Sequence, residues 1–178
     1  MSTDLFLRDA EPPDADAVAR IHVRTWQQAY RGLLPDAYLD SMRAEDRARR
    51  YTFGLGDPAS PRTIVALAQG ELVGFATLRA MSDEANSATR VPTLVGELCA
   101  LHVDPEHWGR RIGLALIRAA RARMSAYGLR SARLWLLAGN TRAARFYQLD
   151  GWVEDGERRT EVVWGASVDE IGLRRGLP

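Results

Sequence analysis

Apolar positions recur along this chain with two periods, one helical and one alternating. Residues 5–8 form a short apolar run that predicts a first strand. Pro12, Pro13 and Asp14 interrupt it and open a helix reaching about Tyr30, with Val18, Ile21, Thr25 and Ala29 at 3.6-residue spacing on its buried face. Gly32 ends that helix, Pro35 opens a short one through Leu39, and a polar, arginine-rich helix follows over residues 45–53. Gly54, Gly56, Pro58 and Pro61 mark a loop. Residues 63–68 and 72–78, joined by Gln69-Gly70-Glu71, read as a hairpin, and residues 82–92, small and polar, read as a loop. Residues 94–103 are apolar on both faces, as in a central strand covered from both sides. A helix over residues 112–127 carries Ile112, Ala115, Leu116, Ala119, Ala120 and Met124 on one face and is capped by Gly128. A strand at 132–137, a helix at 141–149 ended by Gly151, and two closing strands at 152–154 and 161–164 complete the pattern. The final residues carry no clear periodicity. This order predicts one mixed α/β domain spanning residues 1–178, a single sheet layer with helices on both faces.

Composition changes this picture little. With 46% hydrophobic and 26% charged residues, the chain reads as a globular protein of ordinary polarity. A formal net charge of +1 supplies no bulk field that would favour nucleic acid or an anionic membrane as partner. All 24 residues of the Lys+Arg total are arginine, so the chain has no lysine ε-amine of its own to be modified. The one cysteine, Cys99, excludes an internal disulfide framework and fits a reducing compartment. The first residues lack a basic segment followed by a long apolar run, and no stretch is long and apolar enough for a spanning helix, so a cytoplasmic protein is expected.

Candidate chemistry begins at residues 108–115, WGRRIGLA, where the central strand passes through a short loop into a helix. A helix start leaves backbone N–H groups without partners and carries partial positive charge. Gly109 and Gly113 let the backbone approach an anion, and Arg110 and Arg111 can pair with phosphate in fork geometry. Together these make a diphosphate cradle, although such a turn also occurs for structural reasons alone. The GxGxxG spacing of a dinucleotide site and the GK[ST] of a P-loop are absent, which argues against NAD or ATP. His22, His102 and His107 share no metal-ligand spacing, so no metal is expected.

The stretch ELCALHVDPEHWGRRIGLALIRAA resembles motif A of the GNAT N-acetyltransferase superfamily, whose core is [QR]xxGx[GA]. The stretch LWLLAGNTRAARFYQLDGW resembles the same superfamily's motif B, with core NxxAxxFYxxxGF, and WQQAYRGLLPDAYL is similar to a segment of one group of small bacterial members. Trp108 stands where Gln or Arg is usual, and Arg111 where the first Gly is usual. The resemblance implies a mostly antiparallel mixed sheet, acetyl-CoA as cosubstrate, and direct transfer of the acetyl group to a primary amine of a small molecule, peptide N-terminus or protein. A non-catalytic acyl-CoA sensor on the same fold is the alternative. A homodimer is expected only from the frequency of dimers among small enzymes.

The resemblance also implies site residues. Trp108, Gly109, Arg110, Arg111, Ile112, Gly113, Leu114 and Ala115 would hold the diphosphate, and the strand at Leu101, His102 and Val103 the pantetheine. Asn140 would bond that arm, besides being a good N-cap. Ala143 and Phe146 would flank it, although Phe146 also suits core packing. Tyr147, two turns from Asn140 on the same face, would protonate the departing thiolate, its other reading being an ordinary half-buried tyrosine. An alkyl amine reaches its neutral form at pH 7 only at a cost of roughly 4–5 kcal/mol, so a base is needed. Glu97, an acid in an apolar strand, is the candidate, with a salt bridge to an arginine as its other reading. Strict alternation puts it on the face of Cys99 and Leu101, and puts Cys99 and His102 on opposite faces, leaving Cys99 as a small core residue rather than a nucleophile. His22, Trp26 and Tyr30 form a helical stripe. It reads as core, or, as the resemblance implies for the first helices, as an acceptor pocket lined by Trp26 and Tyr30 with Asp36 or Tyr38 at the rim.

Overall fold

The computed structural model describes residues 5–54, 60–83, 93–163 and 165–178. Seven strands form one sheet in the order β1-β2-β3-β4-β5-β7-β6. They are β1 (Leu5–Asp9), β2 (Arg62–Ala68), β3 (Glu71–Asp83), β4 (Thr93–Val103), β5 (Ser131–Leu137), β6 (Val153–Val163) and β7 (Ala166–Gly176). Neighbours run antiparallel except β4 and β5, which run parallel. The helices are α1 (Ala15–Ala29), α2 (Asp36–Ser41), α3 (Ala44–Ala48), α4 (Ile112–Ala126) and α5 (Thr141–Leu149). No described helix is long and apolar enough to cross a membrane.

Period-two alternation in β2 sorts the two faces. Val65 turns toward α1, where it packs with Phe75, Val18 and Ile21. Ile64 and Ala66 turn toward α4, among Leu116, Ile117, Ala120 and Met124. Both faces are thus covered, which is why the central strands read as apolar on both sides. Burying each of the larger of these side chains, the alanines aside, stabilises the fold by about 1.5–3 kcal/mol. Gly96 lets α4 lie close on β4, since a Cβ there would sit 2.5 Å from Met124 Sδ.

Several expectations are corrected. The arginine-rich helix spans only Ala44–Ala48, because Tyr51 and Phe53 leave helical geometry to stack on each other at 5.4 Å. The two short closing strands are one strand, β6, and the unpatterned end is β7, inserted between β5 and β6. Its charges are compensated by distant partners: Arg174 Nε donates to Asp155 at 3.0 Å, and Arg175 pairs with Asp150 at 3.3 Å. Gly56, Pro58, Trp164 and most of the loop read at 82–92 lie outside the described residues.

Candidate active site

β4 and β5 are registered at only three positions, Gly96 with Ala132, Glu97 with Arg133 and Leu98 with Leu134. Both strands continue, to Val103 and Leu137, but apart. A β-bulge marks the parting. On the β3 side Thr77 pairs with Ala100 and Leu78 with Leu98, so Cys99 has no partner. An extra residue bends its strand and increases the local twist. A cleft of about 800 Å³ opens there, walled by β4, β5, α1, α5 and the start of α4.

The bulge also resets the alternation. Glu97, Ala100 and His102 pair with Arg79, Thr77 and Phe75 on one face, while Leu98 and Leu101 pair with Leu78 and Ala76 on the other. Glu97 and Leu101 therefore face opposite ways, contrary to strict alternation. Cys99 is exposed, lining the cleft rather than the core. Glu97 is 5% exposed and lies outside the cleft lining, its Oε2 accepting from Arg79 Nε at 2.5 Å.

The turn before α4 is held at both sides. Asp104 Oδ1 accepts from the Glu106 amide at 3.0 Å, and Trp108 Nε1 donates to the Val103 carbonyl at 2.7 Å. Arg111 adopts φ +62°, the left-handed conformation that favours glycine. The helical ladder reaches Ala115, whose amide donates to Arg111 O at 3.1 Å. The amides of Ile112, Gly113 and Leu114 precede it, with no acidic residue in the first turn. A helix end of this kind can hold an anion. Of the residues expected to hold the diphosphate, Arg110 and Ala115 do not line the cleft. Arg110 is exposed, and Ala115 spends its amide inside the helix.

Across the cleft, Asn140 caps α5, its Oδ1 accepting from the Ala143 amide at 3.1 Å. Phe146 borders Gly113, where a Cβ would meet its ring at 3.5 Å. Tyr147 is 9% exposed, and its hydroxyl has no hydrogen-bond partner among the described residues. Burial, and then the proximity of Tyr30, push its phenol above the ordinary value. Leu101, His102, Val103, Leu114 and Ala143 also line the cleft. Trp26 and Tyr30 form its other end, edge to face with centroids 4.9 Å apart. Asp36 and Tyr38 do not border it: Asp36 pairs with Arg31 at 3.2 Å, and Tyr38 packs on the neighbouring cluster of Leu39 and Met42.

Some site residues were not apparent from the sequence. His22 and His102 stack with ring centroids 4.9 Å apart in the cleft wall, and His22 Nδ1 shares a 2.6 Å hydrogen bond with the Tyr51 hydroxyl. Burial keeps both imidazoles neutral, holding His102 down to about 4. The stripe through His22 and the place of His102 on the central strand were both read from the sequence, but the contact between the two rings was not. Trp135 and Glu170 also line the cleft, and no sequence signal marked either.

Residues 18–152 match the Acetyltransferase (GNAT) family. The chain is 37% identical over 89 residues to a mycothiol acetyltransferase of Sanguibacter keddieii, covering 50% of this chain and 27% of that protein. It is 34% identical over 116 residues to an aminoglycoside N(6')-acetyltransferase type 1 of Stenotrophomonas maltophilia, covering 65% of each. The chain thus spans less than two thirds of either relative. The crystal structure of PaiA N-acetyltransferase from Thermoplasma acidophilum in complex with coenzyme A superposes with a TM-score of 0.70 at 19% identity, over 97% of this chain and 99% of that one, a likeness of fold.

Proposed function

The chain belongs to the acetyltransferase (GNAT) family, and from that premise we propose that it moves an acetyl group from acetyl-CoA directly to a primary amine, with both held together where β4 and β5 part. The observation that carries this reading is the conjunction, in one cleft, of a helix start with free amides, a strand edge beyond the β4–β5 register and a buried phenol with no hydrogen-bond partner among the described residues. A solved relative of this fold that holds coenzyme A supports the donor.

In this reading the amides of Ile112, Gly113 and Leu114 and the guanidinium of Arg111 take the diphosphate. The pantetheine amides pair with the edge of β4 beyond Leu98, in the place a continuing ladder would occupy. Val103 O is already engaged by Trp108 Nε1 and, at 3.2 Å, by Thr25 Oγ1, so the pairing falls on residues 99–101. Asn140 keeps its amide nitrogen for the same arm while its oxygen caps α5. Tyr147 gives its proton to the departing sulfur. Glu97, tied to Arg79, acts on the amine only through water past Cys99 and chiefly fixes the strand at the bulge. Trp26 and Tyr30 receive the acceptor.

The test is a panel of amines incubated with acetyl-CoA, reading thiol release and the acetylated product. Release that depends on the amine is the expected result. Binding of acetyl-CoA with no turnover on any amine would leave an acyl-CoA-binding module instead.

A further inference from the structure

Two carboxylates line the cleft, Asp150 and Glu170. Asp150 is committed on both oxygens. Oδ1 accepts from Arg121 at 3.0 Å, and Oδ2 accepts from Trp152 Nε1 at 3.1 Å and pairs with Arg175 at 3.3 Å. Glu170 is committed on one. Arg159 Nε and Nη2 both meet Oε2 at 2.8 Å, and Oε1 has no partner among the described residues. Its side chain is 12% exposed. Register places Glu170 between Leu137 on β5 and Arg159 on β6, in the wall of the acceptor end.

The surroundings define what that oxygen would meet. Trp26, Leu34, Leu137, Val163 and Val168 make this end apolar. Trp135 beside it is flanked by two guanidiniums, Arg133 at 4.6 Å and Arg159 at 4.1 Å from its ring centroid. Arg133 is paired with Glu157 at 2.9 Å, so each neighbouring cation already has an acid. Glu170 acts electrostatically on Tyr30: burial, and behind it this carboxylate, push that phenol up to about 12. Tyr30 in turn acts on Tyr147. Glu170, Tyr30 and Tyr147 thus span the cleft from the acceptor end to the phenol facing the donor.

We propose that Glu170 is the acceptor anchor of this cleft: its Oε1 receives a singly charged primary amine whose apolar or aromatic body lies against Trp26, Tyr30, Leu137 and Val168, and takes one proton from it. The proposal rests on the transfer reading above. The amine arrives as the ammonium and leaves one proton on Oε1, which passes it to solvent. The nitrogen lone pair forms the C–N bond to the thioester carbonyl carbon. The C–S bond breaks, its electron pair stays on sulfur, and sulfur takes the Tyr147 proton. The second nitrogen proton returns to Tyr147 through water. One available carboxylate oxygen among apolar walls selects a monocation. A polycation would leave its further charges buried without partners.

The experiment compares wild type with Glu170→Gln, which retains an acceptor for Arg159. Acetyl-CoA affinity is measured by calorimetry and thiol release with phenethylamine and with spermidine. Wild type is expected to favour phenethylamine in kcat/KM by at least about tenfold, since a buried unpaired charge on the rival is costly. Glu170→Gln is expected to lower kcat/KM for phenethylamine by about 10–100-fold, the loss of one charge-assisted hydrogen bond, with acetyl-CoA affinity unchanged. A variant within about threefold of wild type, with acetyl-CoA still bound, overturns the anchor and leaves the transfer reading standing. Wild type that binds no acetyl-CoA overturns both. A measurement on wild type alone covers a misfolded variant: phenethylamine is expected to displace an acceptor at least about tenfold better than 2-phenylethanol, and equal potency overturns the proposal.

Discussion

The Arg142 guanidinium lies 3.5 Å from the centre of the Trp108 ring, joining the turn before α4 to the first turn of α5. The same indole donates to Val103 O, so one side chain ties β4, the turn before α4 and α5 together. Trp108→Ala is expected to cost about 2 kcal/mol of stability and to weaken acetyl-CoA binding. A double-mutant cycle with Arg142→Ala should give a coupling of about 0.5–2 kcal/mol by urea denaturation. Additive losses would mean that the stack contributes nothing.

Arg111 holds a left-handed backbone with a side chain that disfavours it. Arg111→Gly should relieve about 1 kcal/mol of that cost and raise Tm by a few degrees. It also removes a guanidinium from the cleft wall, so acetyl-CoA should bind several-fold more weakly and with a shallower dependence on salt. Calorimetry at two ionic strengths reads both effects. Tighter binding in the variant would contradict the assigned role of this arginine.

Tyr147→Phe should lower kcat by more than about tenfold while leaving acetyl-CoA affinity within about twofold, as expected for a proton donor. Its phenol is displaced upward, so the proton is retained at higher pH than in an ordinary tyrosine. Turnover of wild type should therefore not decline on the alkaline side before about pH 10. An earlier decline that vanishes in the variant would assign a lower value to this group.

His102 is neutral in the fold, held down to about 4 by burial. The unfolded chain binds a proton near pH 6.5 and the folded one does not. Stability is therefore complete above about pH 6.5 and is lost as pH falls toward about 4, by up to about 3 kcal/mol. Urea titrations across that range should show the loss, and His102→Phe should lessen it, the remainder coming from His22, whose imidazole burial also holds below its ordinary value.

Glu97 is buried, and Arg79, its partner, is half exposed. Arg79→Met leaves the carboxylate without its cation and should cost about 1–3 kcal/mol, the lower part of the range where water reaches the pair. Arg79→Met combined with Glu97→Gln should recover much of that loss. If the double variant is no more stable than the single one, the pair is not what holds this strand.

The legible parts of the molecule were those written in local periodicity. Ile112, Leu116 and Ala120 repeat at helical spacing, and Gly128 stops the helix with φ +79°, so the extent of α4 could be read directly. The bulge could not, because Cys99 and Ala100 look like any strand pair, and the extra residue exists only relative to β3. That missing step placed Glu97 and Leu101 on one face. β7 was hidden for a related reason. Gly172 leaves room for the Asp155 carboxylate, and the arginines at 174 and 175 are neutralised by acids distant in sequence. A strand carrying such residues looks like a tail until its partners are known, and Glu170 was hidden with it.

Among the described residues, three registered rungs stitch β1–β4 to β5–β7 along the seam between β4 and β5. Beyond them side chains bridge the two half-sheets, among them Arg121 to Asp150 and Arg142 to Trp108. An extended ligand lodged in the gap would act as a surrogate strand, supplying the rungs the chain omits. Its affinity would then register as mechanical cohesion between the halves, about 2.7 kcal/mol at a hundredfold excess over Kd, with amide exchange slowed on both banks of the seam.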